Sequence, residues 1–201
     1  MLKSKKQIVI LGILALGTQL LAADDNSWGL YGKVSLITPQ ADLRVYSGGK
    51  SSGLGFETGK NWGDPSQAIT FGAYVGYNRL SGNYRPEIDT ALGMDWIRFG
   101  IDSRFATPVK ALTVYAGLSA NFFDGYRYQN SSVLGLKGGF PDSKAKFGAR
   151  LGIQYTISGR WGVSMDYNFA EWRSDIAPAP AIKGVNPVNP SWVATSVVYQ
   201  F

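Results

Sequence analysis

S-W-V-A-T-S-V-V-Y-Q-F, residues 191–201, sets the pattern for the whole chain. Counted back from its end, every second position is apolar or aromatic, with a single Thr: Phe201, Tyr199, Val197, Thr195 and Val193. Gln200, Val198, Ser196, Ala194 and Trp192 lie between them. A period of two held over that length is a β-strand with two chemically different faces. The strand stops on a bare Phe.

Upstream the same period recurs, over 28–37, 68–78, 84–92, 96–105, 111–123, 146–157 and 161–172. With the terminal stretch this predicts eight strands of about ten residues, the length that crosses a bilayer when tilted. Long connections are expected over 46–67, 124–145 and 173–190. Short ones are expected at 79–83, 93–95, 107–110 and 158–160. Short turns at one end and mostly long loops at the other fit antiparallel strands that run up and down. Eight of the nine prolines fall outside the predicted strands, and Pro86 lies near the start of its strand, where a missing ladder donor costs least.

Composition agrees with this reading. At 201 residues the chain suits one domain. Aromatics reach 13%, Gly numbers 25 and charged residues are sparse at 17%, a profile that suits strands better than helices. There is no Cys, which excludes a disulfide framework and thiolate chemistry, and no His. The start carries Lys3, Lys5 and Lys6, an apolar run from Ile8 to Leu16, then Leu20-Leu21-Ala22-Ala23 before Asp24-Asp25. A basic start, a short apolar middle and small residues before an acidic break read as a secretory signal peptide over 1–23. The remaining domain, 24–201, carries 17 basic against 14 acidic residues, a formal +3, so the basic balance of the full chain gives no argument for nucleic acid.

Membrane barrels and soluble barrels both alternate, with opposite sign. Two features assign the sign here. The polar face carries charges near strand middles: Lys33, Arg85, Glu87, Asp89, Arg98, Asp102, Arg104, Arg150 and Asp166. It also carries Gly72, Gly76, Gly100, Gly148, Gly152 and Gly162, small residues that make room inside a narrow barrel. The apolar face sorts its aromatics by height. Trp28, Tyr77, Tyr84, Phe105, Tyr155, Trp161, Tyr199 and Phe201 are expected at the short-turn end, and Phe71, Phe122, Phe147 and Phe169 at the loop end. Two aromatic belts around an aliphatic band suit a bilayer, where rings settle at the interface. In hydrocarbon an unpaired backbone group is costly, so spanning strands must close into a barrel. The expected fold is therefore all-β: a closed antiparallel eight-stranded transmembrane up-and-down β-barrel after a cleaved signal peptide. Charges sealed inside must pair, which predicts cross-strand salt bridges plugging the lumen.

The signal peptide, the eight amphipathic strands, G-A-Y-V-G-Y at 72–77, G-I-Q-Y at 152–155 and the terminal V-V-Y-Q-F together resemble the small OmpA/OmpX-like and opacity-type outer-membrane barrel superfamily. That resemblance implies a Gram-negative outer membrane and lipopolysaccharide around the barrel. It also implies a terminal signal, Tyr199 and Phe201, read by the barrel-assembly machinery, with no further domain expected after the last strand. The superfamily's lipid A-modifying enzymes depend on a catalytic His that this chain lacks, so no catalytic residue, cofactor or metal is expected. A structural or surface-interaction role is expected, through long loops in which Trp62, Tyr126, Tyr128 and Phe140 are candidate contacts for an unidentified surface or host partner. A small porin passing ions or small solutes is the alternative.

Overall fold

The computed structural model describes residues 29–47, 49, 52–63, 67–82, 84–85, 90–129, 132–134, 145–170 and 190–201. Ten strands and one short helix follow in order: β1 Leu30–Gln40, α1 Ala41–Tyr46, β2 Ser52–Trp62, β3 Ile69–Ser81, β4 Tyr84–Arg85, β5 Thr90–Ala106, β6 Leu112–Gln129, β7 Ser132–Leu134, β8 Lys146–Ser158, β9 Trp161–Ala170 and β10 Ser191–Gln200. Eight of them form the wall, in the order β1-β2-β3-β5-β6-β8-β9-β10, and β10 pairs back on β1. Every pairing is antiparallel. The result is the closed up-and-down barrel that the alternation predicts. The two small strands stay out of the wall: β4 pairs with Thr90–Ala91 of β5, and β7 with the far end of β6.

Three stretches differ from the sequence expectation; in one of them, the loop expected over 124–145, the first six residues continue β6 and β7 follows. The loop expected over 46–67 contains a wall strand, β2. Its lumen-side positions are Gly53, Gly55, Glu57 and Gly59, so only Leu54 and Phe56 mark it as apolar on the other face. The glycines are there for packing: a Cβ at Gly59 would lie 2.7 Å from the Tyr31 ring. Conversely, the two strands expected over 84–92 and 96–105 are the short β4 and a single long β5. Gly93 and Asp95 read as a turn, but they pair in register with Tyr126 and Asp124 of β6. One strand gained and one lost leave the total at eight.

The extra strand reverses the direction expected for β3. Phe71 therefore lies at the short-turn end and Tyr77 toward the loop end, each opposite to expectation. Tyr84, expected at the short-turn end, belongs to β4 beside Ala91 at the loop end. Trp28 lies outside the described residues.

Helix α1 is a local consequence of sequence. Ala41 takes a left-handed backbone (φ 42°) that turns the chain off β1. Such a conformation costs a β-carbon residue about 1–2 kcal/mol. Burial of Leu43 offsets it as α1 packs on β1 and β10 at the loop end.

The sign of the faces is decided by burial. Leu151 is 59% exposed and Val197 50%, whereas Arg98 is 2% exposed and Asp166 is fully buried. Val34, Leu36, Phe56, Phe99, Ile101 and Leu118 are exposed on the outside like Leu151. A soluble barrel would leave these side chains in water at about 25 cal/mol per Å² of apolar surface. Hydrocarbon removes that cost.

Candidate functional site: the barrel lumen

Alternation turns every second wall residue inward, and on five strands the inward residue at mid-height is charged. Lys33 comes from β1, Glu57 from β2, Arg98, Asp102 and Arg104 from β5, Arg150 from β8 and Asp166 from β9, all of them buried. Glu57 is the hub. Arg98 Nη2 donates to its Oε2 at 2.6 Å, Arg150 Nη1 to both carboxylate oxygens at 2.9 and 3.0 Å, and the Tyr31 hydroxyl to Oε1 at 3.0 Å. Lys33 Nζ stands 3.9 Å from Glu57 and donates to Asp166 Oδ2 at 2.8 Å. Arg150 also donates through Nε to Asp102 Oδ1 at 2.7 Å and through Nη2 to Asp102 Oδ2. The ion pairs thus run from β1 and β2 across to β5, β8 and β9.

Three buried tyrosines frame these charges. The Arg150 guanidinium lies 3.6 Å from the Tyr74 ring centroid and 5.2 Å from that of Tyr115. Tyr115 accepts a hydrogen bond from Lys33 Nζ at 3.2 Å. Stacking on aromatic faces favours Arg over Lys at such a position, because the guanidinium is planar and less strongly hydrated.

Toward the loop end the lumen changes character. Trp96 packs against Trp192 (centroids 5.0 Å, interplanar angle 69°) and against Phe123 (5.8 Å). Ile37, Leu80 and Met94 are fully buried. Here the inward positions are mostly apolar, with the buried Asn78 and Asn168 in register with Trp96 and Trp192, and side chains fill the lumen.

The expected charge network is therefore only partly the set brought together. Lys33, Arg98, Asp102, Arg104, Arg150 and Asp166 face the lumen. Arg85 does not belong to the wall, because its short strand pairs with Thr90–Ala91 of β5, beyond the end of the β3–β5 ladder. Glu87 and Asp89 lie outside the described residues. Glu57, the central acceptor, escaped the sequence reading because it sits in the stretch taken for a loop. The signal that finds it is the alternation Leu54-Phe56-Thr58 around it.

Among the candidate loop contacts, Trp62 is misplaced by the same error. It ends β2 opposite Phe71 at the short-turn end, half-exposed, and belongs with the aromatic belt there. Tyr126 and Tyr128 fall within β6 near its loop end. Phe140 lies outside the described residues. On the outer wall Phe71, Phe105, Tyr155, Trp161, Tyr199 and Phe201 circle the short-turn end with Trp62, and Tyr77, Phe122, Phe147 and Phe169 the loop end. Trp161, Tyr199 and Phe201 pack edge to face at 4.8 and 5.2 Å.

At the loop end the wall is uneven. β5 has 17 residues and β6 18, against the ~9–11 a tilted strand needs to cross. β3 stays in register with β5 only as far as Met94, and β8 with β6 only as far as Asn121. Beyond those points β5 and β6 continue as a two-stranded ribbon, flanked by β4 and β7.

An apolar wall, two aromatic girdles and a charged, filled lumen define a transmembrane β-barrel of the outer-membrane type. Residues 8–201 match the outer membrane protein beta-barrel domain family, and the chain belongs to it. It is an outer-membrane protein. Among solved structures it is similar to the neisserial surface protein A, NspA (14% identity, TM-score 0.56, covering 87% of this chain and 97% of that one). It is also similar to Ail, the attachment invasion locus protein of Yersinia pestis (8% identity, TM-score 0.51, covering 87% and 99%). At these identities the likeness is one of fold. No curated protein sequence matches the chain.

Proposed function

We propose that this barrel is a closed scaffold that displays a binding surface at the cell exterior and carries no catalytic role. The observation that carries this reading is the β5–β6 ribbon. It runs about six residues, or ~20 Å at 3.3–3.4 Å per residue, past the length the bilayer requires. Extra strand length has no use in anchoring, and backbone that leaves the wall must find partners elsewhere. The ion-pair layer around Glu57 and the aromatic layer around Trp96 lie one above the other, which supports a lumen shut to solutes. Two barrels of similar fold are called a surface protein and an attachment protein, which favours display over transport. In the same reading residues 1–23 direct export, and lipid and lipopolysaccharide cover the outer wall. Tyr199 and Phe201 present the last strand to the assembly machinery.

The test pairs two measurements. Purified barrel in planar bilayers is expected to give no large, stable single-channel conductance. Bacteria carrying the barrel are expected to adhere to host cells or matrix. Excision of 124–134 is expected to abolish adherence while the boiled-versus-unboiled gel shift persists. Stable conductance, or adherence unaffected by the excision, refutes the proposal.

A further inference from the structure

The lumen charges do not balance. Lys33, Arg98, Arg104 and Arg150 are the buried lumen cations among the described residues, and Glu57, Asp102 and Asp166 the buried lumen carboxylates, leaving a formal +1. The surplus falls on Arg104. Lys33, Arg98 and Arg150 each lie within 4.0 Å of a carboxylate, but among the described residues Arg104 has none at that distance. Its guanidinium donates one hydrogen bond, from Nη2 to Gln154 Oε1 at 2.8 Å, and lies 5.1 Å from the Tyr115 centroid. At 7% exposure a cation with no carboxylate in contact is costly to hold out of water.

A second donor lies in the same region. Ser164 stands in register with Gln154, and its Oγ is buried with no hydrogen-bond partner. Thr113 registers with Gln154 from the other side. Arg104 is two residues from the short-turn end of β5, so this group lies below Asp102 and the ion-pair layer.

We infer that the short-turn end of the lumen binds a small inorganic anion of about chloride size against the Arg104 guanidinium, with the Ser164 hydroxyl as a second donor. A single surplus charge selects a monoanion. A lumen packed with side chains excludes a bulky organic one.

Urea unfolding of the full barrel in zwitterionic phospholipid vesicles, in chloride or in gluconate at equal ionic strength, tests this. Chloride at about ten times its Kd is expected to lower the unfolding equilibrium constant about elevenfold relative to gluconate. Arg104→Gln is expected to abolish the difference and Ser164→Ala to reduce it. An equal difference in Arg104→Gln, or none in the unaltered protein, overturns the site. Should Arg104→Gln fail to fold, bromide soaked into crystals of the unaltered protein decides. An anomalous peak against Arg104 supports the site, and a lumen without one overturns it.

Discussion

Replacing Glu57 with Gln removes the acceptor on which the lumen charges converge. Arg98 loses its one carboxylate partner among the described residues, at 2.6 Å, and Arg150 keeps Asp102 but loses the 2.9 and 3.0 Å bonds to Glu57. Lys33 keeps Asp166 at 2.8 Å. The formal lumen charge rises from +1 to +2, all of it out of bulk water. Removing one partner of a buried ion pair costs about 3–5 kcal/mol, because the other charge is left without compensation. Unfolding in urea with the barrel in phospholipid vesicles, followed by tryptophan fluorescence and gel mobility, reads this as a fall in stability of that size. A double-mutant cycle sharpens the test. Arg98→Met removes the orphaned cation, so the pair of substitutions is expected to cost less than the sum of the two by more than about 1 kcal/mol. A Glu57→Gln barrel within about 1 kcal/mol of the unaltered protein, or strictly additive costs, would refute the hub.

Other substitutions probe the wall and the packing. Gly152→Ala sets a Cβ against the Tyr115 ring and Asp166 Oδ1, and is expected to cost about 1–3 kcal/mol in the same assay. Leu151→Arg places a cation on the lipid face at mid-strand and is expected to cost about 2–4 kcal/mol in vesicles, falling to about 0–1 when the change is made near the interface. Phe201→Ala removes one edge-to-face ring contact with Tyr199, about 0.5–1.5 kcal/mol. If Phe201 also marks the strand for assembly, the folded fraction in outer membranes is expected to fall further than that loss explains, as read by the gel shift.

What the sequence made legible follows from where its alternation is strong. β8, β9 and β10 carry a large apolar or aromatic residue at nearly every outward position, so their period of two and their lumen-side Arg150 and Asp166 were readable. β2 was not, because its inward positions are three glycines and one Glu that complement bulky neighbours elsewhere on the wall. No local pattern announces a glycine that accommodates the Tyr31 ring. β5 was cut in two because Gly93 and Asp95 have turn chemistry, whereas the β6 ladder holds them extended. The lumen site suffered most. Its hub lies in the hidden strand, and its geometry joins residues as far apart as Lys33 and Asp166.

The β1–β10 junction has a consequence for biogenesis. The Ser35 and Ser196 hydroxyls meet there at 2.8 Å, 161 residues apart in sequence. Until β10 arrives, β1 and β9 each expose an unsatisfied ladder edge, which hydrocarbon penalises by several kcal/mol per group. The half-built sheet is therefore barred from the bilayer interior, and insertion must be coupled to ring closure. So distant a final contact makes unaided closure slow. A catalyst that shelters the open edge of β1 until its last neighbour docks would act on that slow step.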